Sequence, residues 1–206
     1  MDNKTRIITE SKALFMKLGI RSVSMDDIAS QLGISKKTIY QLFADKDELV
    51  DHIIEADIKQ IQTECNKCCE TSNDAIDEIF KTMEMISVQL RNTNPMVIFD
   101  MQKYHHRSFE KFMQHRNIFL LEIITNNLER GLKEGLYREN IKIDILARFR
   151  LESMMLAFNM DLFPPTTFNA LEVTLEIIQH FLYGLSTEKG YQLINEYKTR
   201  KLTNGQ

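Results

Sequence analysis

Residues 24–49 read SMDDIASQLGISKKTIYQLFADKDEL, and this stretch decides the fold. Ser24 stands just before a short apolar-periodic run, and Asp27 follows three residues later. In that pattern a hydroxyl and a carboxylate cap the first turn of a helix reciprocally. Gly33 closes the helix, because glycine enters the left-handed region without steric penalty. Ser35 is the next N-cap candidate, opening a helix of one to two turns through residue 43. Its Ile39, Leu42 and Phe43 face inward, while Lys36, Lys37, Tyr40 and Gln41 face outward. Two short helices joined by a tight turn need a small residue where they cross, a glycine at the turn and apolar residues that hold the second helix down. Ala29, Gly33 and Ile39 supply these, and Ile28, Leu32, Ile34 and Leu42 complete a miniature core. The stretch reads as a helix-turn-helix.

Helical periodicity continues on both sides. A helix over residues 3–18 carries Ile7, Ser11, Leu14, Phe15 and Leu18 on one face, with Gly19 as its stop. Further helices are expected over 45–69, 74–91, 96–104, 106–134, 143–162, 169–185 and 187–201, with Asn94-Pro95 opening the short one and Pro164-Pro165 stopping the one before 169. No alternating strand pattern, internal repeat or low-complexity linker interrupts them. The chain is expected to be all-α, with about nine or ten helices.

Composition agrees. Seven Gly and three Pro in 206 residues mean few turns and long elements. A hydrophobic share of 43% with 27% charged residues excludes a disordered chain. No apolar run is long enough to span a membrane and the N-terminus lacks a signal-peptide pattern, so a soluble, cytoplasmic protein with no membrane partner is expected. A net charge of −3 argues against coating nucleic acid by bulk electrostatics. Any contact with it rests on a local patch. Residues 1–51 hold eight basic and eight acidic residues, and within them residues 33–46 carry Lys36, Lys37 and Lys46 against Asp45.

The caps, the turn glycine, the Tyr40-x-x-Phe43 pair and the Lys46 that opens the fourth helix together resemble the DNA-binding domain of the tetracycline-repressor (TetR) family, over residues 7–54. Ser24 stands where Thr is commoner in that family, Ile20 where an aromatic is common and Gln41 where His or Tyr is frequent. The resemblance implies a helix-turn-helix DNA-binding domain over residues 1–50 and a larger helical bundle over 51–206 that binds an effector and dimerises. It also implies a homodimeric transcriptional regulator, a repressor released from a near-palindromic double-stranded operator by a small, apolar effector, and not an enzyme.

Physical chemistry assigns matching roles. A helix that enters the major groove by its N-terminal end reaches phosphates and base edges from its first two turns. Lys36 or Lys37 suits guanine O6/N7, Gln41 suits adenine N6/N7, and Ser35, Thr38 and Tyr40 carry hydroxyls near the phosphates. Lys46, the backbone N–H groups opening the fourth helix, and Ser24 are candidate phosphate anchors.

Other constellations carry less. Cys65, Cys68 and Cys69 offer half of a zinc site or a redox pair, but no matching half is present, so incidental cysteines compete with a redox-responsive regulator. His105, His106, His115 and Glu110 fall short of a metal ligand set, and no metal or cofactor is expected. His180 suits an interface or core better than a ligand role. The segment from Met83 to Met160 is rich in Met and Phe, and Phe99, Tyr104, Phe109, Phe112, Met113, Phe149, Met155 and Phe158 are candidate effector-lining residues, against the alternative that they are simply core. Leu171, Leu175, Ile178 and Leu182 recur as a heptad-like seam that a partner helix has to cover, here assigned to a second subunit. A helical carrier or enzyme is the rival class, and no P-loop, dinucleotide glycine motif, nucleophile elbow or zinc-protease run supports it.

Overall fold

A computed structural model describes residues 2–91 and 93–204, the side chains of 201–204 excepted. Its elements are α1 (Asn3–Leu18), α2 (Met25–Leu32), α3 (Lys36–Tyr40), α4 (Lys46–Thr71), α5 (Ala75–Leu90), α6 (Met96–Tyr104), α7 (His106–His115), a π turn (Arg116–Leu120), α8 (Leu121–Lys133), α9 (Ile143–Ser153), a 3-10 turn (Leu156–Phe158), α10 (Ala170–Leu185) and α11 (Glu188–Asn204). The chain is all-α. An isolated antiparallel bridge joins Tyr137 and Ser186, and among the described residues no helix is long and apolar enough to cross a membrane.

Compactness divides the chain into Met1–Ile61 with Arg91–His115, and Gln62–Leu90 with Arg116–Gln206. The boundary expected at residue 50 falls inside α4, which runs without a break to Thr71. Nor do residues 91–115 separate from the N-terminal helices. Val97 and Met101 of α6 enter the same core as Phe15, Ile20, Ile28, Ile39, Phe43 and Leu49. Asp100 accepts the Arg21 N–H at 2.8 Å, and the Asn94 N–H donates to the Met16 carbonyl at 2.6 Å. These bonds join residues about eighty apart, beyond the reach of local periodicity.

The core of the second unit gathers Ala75, Ile76 and Phe80 of α5, Leu128 of α8, Ala147 of α9, Leu182 and Leu185 of α10 and Ile194 of α11 around Tyr137. The Tyr137 ring lies so close to Gly131 that a Cβ there would sit 2.0 Å from it. Its hydroxyl donates to Asn127 Oδ1 at 3.0 Å, and Asn127 Nδ2 donates to the Ala75 carbonyl at 3.0 Å. A buried phenol and amide are tolerated because each finds its partner. Arg130 ties the rim, reaching Glu134 at 2.7 Å, Glu78 at 3.2 Å and Ser72 Oγ at 2.6 Å.

Three expected helices end or break elsewhere. α3 stops at Tyr40, where the Leu42 and Phe43 N–H groups both turn back onto the Ile39 carbonyl. Residues 106–134 are split by the π turn that begins at the buried Arg116. α9 ends at Ser153, nine residues short of the expected stop at 162. Its last carbonyls also accept side-chain donors, Leu151 from Arg116 Nη2 at 2.9 Å and Arg150 from Ser153 Oγ at 2.7 Å. A helix whose terminal carbonyls are so satisfied has no need of another turn. The expected dimer seam is also partly internal: Ile178 and Leu182 are each 2% exposed within the single chain, while Leu171 and Leu175 are half-buried.

Replacing Gly131 by Ala should force the Tyr137 ring out of place and destabilise the protein by about 1–3 kcal/mol. The expected observation is a lower urea midpoint with increased tyrosine exposure, and an unchanged midpoint would show that the ring has room to move.

Candidate nucleic-acid interface

The helix-turn-helix is held by its caps. Ser24 Oγ accepts the Asp27 N–H at 3.1 Å, and the Ser24 N–H donates to Asp27 Oδ2 at 2.8 Å, completing the capping box. The Ser24 hydroxyl and N–H hold the Asp27 carboxyl below its usual value. At Gly33 the backbone turns left-handed (φ 64°), which lets the Ile34 N–H reach the Ala29 carbonyl at 3.0 Å. α3 then starts at Ser35, whose Oγ accepts the Thr38 N–H at 3.1 Å. Ile39 is fully buried beneath it, so the opposite face of α3 is committed to solvent.

On that face Ser35, Lys37, Tyr40 and Gln41 are exposed and Thr38 is half-buried. The expected cations behave differently from one another. Lys36 is engaged by Asp26 of α2, its Nζ lying 2.9 and 3.0 Å from the two carboxylate oxygens and 5.8 Å from the Tyr40 ring centroid. The Asp26 carboxylate raises the Lys36 ammonium above its ordinary value. Lys37 has no such partner among the described residues. Lys46 turns inward: its Nζ donates to the Ile20 carbonyl at 2.5 Å and sits 5.5 Å from the Phe15 ring centroid, and burial lowers its pKa. The N-terminus of α4 is likewise occupied by its own carboxylates, with the Glu48 N–H on Asp45 Oδ1 at 2.8 Å and the Ala44 N–H on Glu48 Oε2 at 2.5 Å. Ser24 spends its hydroxyl on Asp27, at 2.6 Å. The expected phosphate anchors at Lys46, at the α4 terminus and at Ser24 are thus engaged within the chain.

Sequence alone missed Arg6, whose Nη2 donates to the Leu32 carbonyl at 3.0 Å and fastens α1 to the end of α2. It also missed the bracing of α4 in the first unit. Asp51 of α4 is buried and pairs with Arg107 at 2.9 Å, Lys111 at 3.1 Å and the Ser108 hydroxyl, while Asp47 meets His105 Nδ1 at 2.5 Å. These side chains line a cleft of about 590 Å³. The histidines do not converge: His105 belongs to this network, His106 is exposed, and His115 is buried, with burial lowering its pKa. Among the described residues no three metal-ligating side chains are grouped.

The candidate effector-lining residues are distributed over both units. Phe99 and Tyr104 are exposed, each about 5.5 Å from the Lys103 ammonium, and Phe109 and Phe112 pack against the first core, with Met113 half-buried. In the second unit Phe149 is exposed beside Phe181, and Met155 and Phe158 are half-buried. Cys65 and Cys69 are free thiols pushed up to about 12, chiefly by burial. Burial raises the Cys68 thiol as well, and all three thiols favour the protonated form.

Two capped helices across a glycine turn, with a polar face turned to solvent, form a helix-turn-helix, the motif with which many regulators meet DNA. Residues 7–53 match the family model for bacterial regulatory proteins of the tetR family. The HTH-type transcriptional regulator YvaF of Bacillus subtilis (strain 168) is 23% identical over 195 residues, covering 89% of this chain and 96% of its own. The HTH-type transcriptional repressor KstR2 of Mycobacterium tuberculosis (strain ATCC 25618 / H37Rv) is 20% identical over 140 residues, 66% of this chain and 70% of its own. The solved structure of ketosteroid transcriptional regulator KstR2 of Mycobacterium tuberculosis superposes with a TM-score of 0.61 at 18% identity, covering 91% and 96% of the two chains. A transcriptional regulator from Cytophaga hutchinsonii superposes at 0.68, with 20% identity over 90% and 100%.

Ser24→Ala removes one capping acceptor and should cost about 1 kcal/mol in a denaturant melt. Asp27 supplies a pH signature. Its depressed folded-state value means a contribution fully present above the ordinary carboxyl value of 3.8 and lost as pH falls through the folded one. An NMR titration of Asp27 should therefore move upward in Ser24→Ala, and an unmoved titration would separate the carboxylate from the cap.

Proposed function

We propose that the protein is a homodimeric repressor that reads a near-palindromic operator with α3 and leaves it when a small molecule with an apolar body binds. The observation that carries the DNA reading is the exposed Lys37, Tyr40 and Gln41 face of α3, held rigid by the Ser35 cap and the buried Ile39. Lys37 is the best placed cation for a guanine edge or a phosphate, Gln41 for adenine, and Ser35, Thr38 and Tyr40 for phosphate oxygens. Lys36 joins them by exchanging Asp26 for the duplex. Repression is supported by the likeness to KstR2, which is described as a transcriptional repressor. The N-terminal helices serve as the DNA-binding part and the second unit as the effector-binding and dimerising part.

Dimerisation is proposed through α9 and α10. Ile145 and Phe149 lie one turn apart on α9, Phe149 57% exposed, and Leu171 and Leu175 of α10 remain partly accessible. Burying such a row against its symmetry mate offsets the cost of leaving it wet. Two recognition helices held by a two-fold axis then read half-sites about 34–36 Å apart, or a multiple of that.

Salt dependence separates the lysines. Lys37→Ala should weaken operator binding and flatten the slope of log affinity against log salt by about 0.9 for each phosphate that Lys37 no longer neutralises. Lys46→Ala should lower stability, because the Ile20 carbonyl is left without its donor and the Phe15 ring without its cation, while leaving that slope unchanged. An unchanged slope in Lys37→Ala would remove α3 as the DNA-facing surface. Phe149→Glu should give a folded monomer that no longer holds the operator, as read by sedimentation and fluorescence anisotropy; a dimer of normal DNA affinity would place the interface elsewhere.

A further inference from the structure

Arg150 of α9 is buried, 7% exposed, and its guanidinium makes one hydrogen bond among the described residues, from Nη1 to Ser153 Oγ at 3.1 Å. No carboxylate among those residues pairs with it. Burial alone pulls it down to about 10, with no contribution from an acidic neighbour, and at neutral pH it keeps its charge. A hydroxyl dipole is a poor counter-ion for a buried guanidinium. Arg130 of the same unit shows what a structural arginine looks like here: it is half-buried, and it holds two carboxylates and a serine.

A second guanidinium meets the same turn of α9. Arg116, 2% exposed at the start of the π turn, donates Nη2 to the Leu151 carbonyl and to Glu152 Oε2, each at 2.9 Å, and Nη1 to Asn117 Oδ1 at 2.9 Å. Its Nε is buried with no acceptor among the described residues. One uncompensated cation and one orphaned donor therefore sit at the end of α9, just where the helix stops short and Met154, Met155 and Phe158 follow, half-buried. π turns are frequent at functional sites.

We propose that Arg150, assisted by Arg116 Nε, is the head-group site for an amphipathic anion, a small molecule with a carboxylate or phosphate at one end and an apolar body suited to Met154, Met155 and Phe158. A guanidinium fork matches the paired oxygens of either group. The proposal rests on the reading of the chain as an effector-responsive regulator, and it gives that effector a charge which an apolar lining by itself does not imply.

The test uses the full-length protein, with straight-chain carboxylates from acetate to palmitate, the matching alkyl phosphates and the uncharged methyl esters as probes. Calorimetry reads affinity and anisotropy reads operator release. One or both anion series should bind, with the tighter one naming the head group, and the esters should bind about tenfold more weakly or worse. Arg150→Met should lose the same factor toward the anions, while its unliganded melting temperature equals or exceeds that of the wild type because an uncompensated buried charge has been removed. Arg150→Lys, which keeps the charge but not the fork, should retain weakened binding, and it carries the test if the Met variant does not fold. Equal affinity for anions and esters, absence of anion binding, or anion affinity unaffected by either variant would overturn the site. Binding that depends on Arg150 but leaves operator affinity unchanged supports the anion site and removes the effector reading instead.

Discussion

The left-handed backbone at Gly33 sets the direction in which α3 leaves α2, and what the first unit presents to solvent follows from it. A residue with a Cβ at φ 64° is strained whatever the space around it, and here the space is open, so the demand for glycine is conformational rather than steric. The turn is closed by the Ile34 N–H on the Ala29 carbonyl. Once it is closed, Ile39 falls into the core beneath Phe43 and Leu49, and the rotation of α3 about its axis is fixed. Lys37, Tyr40 and Gln41 face outward as a consequence of what is buried on the other side of the helix.

The second unit solves a different problem. Its core contains a phenol, an amide and a rim of charges, and it is stable because each of these is answered: Tyr137 by Asn127, Asn127 by Ala75, Arg130 by Glu78 and Glu134. Gly131 makes this possible by letting the Tyr137 ring lie on bare backbone. Against so complete an accounting, the guanidinium of Arg150 stands out. Among the described residues its partner is a serine hydroxyl, where Arg130 has two carboxylates.

Local chemistry was legible from the amino-acid order, and distant pairing was not. The caps at Ser24 and Ser35, the stop at Gly33 and the inward Ile39 each depend on neighbours within a few residues, and all are present as expected. Lys36 and Lys46 look alike in sequence, two cations in a polar stretch, yet one meets Asp26 ten residues away and the other the Ile20 carbonyl twenty-six away. Periodicity predicts that Leu171, Leu175, Ile178 and Leu182 share a face. It does not say what covers that face, and for Ile178 and Leu182 the cover is the chain itself. The early end of α9 was hidden for the same reason, since Arg116 comes from thirty-five residues upstream to take the Leu151 carbonyl.

The pairing of Lys36 with Asp26 bears on how such a regulator searches a genome. Random duplex vastly outnumbers any one operator, and a face rich in free cations lingers on it through counterion release alone. On the reading proposed for α3, the Asp26 carboxylate projecting beside it would work against that. It occupies one lysine in advance and presents a like charge to every phosphate that approaches, so a wrong sequence offers little in return for breaking the pair. Only a duplex whose base edges met the other side chains of α3 would offset the loss. On the proposed reading, dwell times on unrelated DNA would shorten, the chain would return to solution and sample elsewhere, and discrimination would come partly from a repulsive group rather than from added grip.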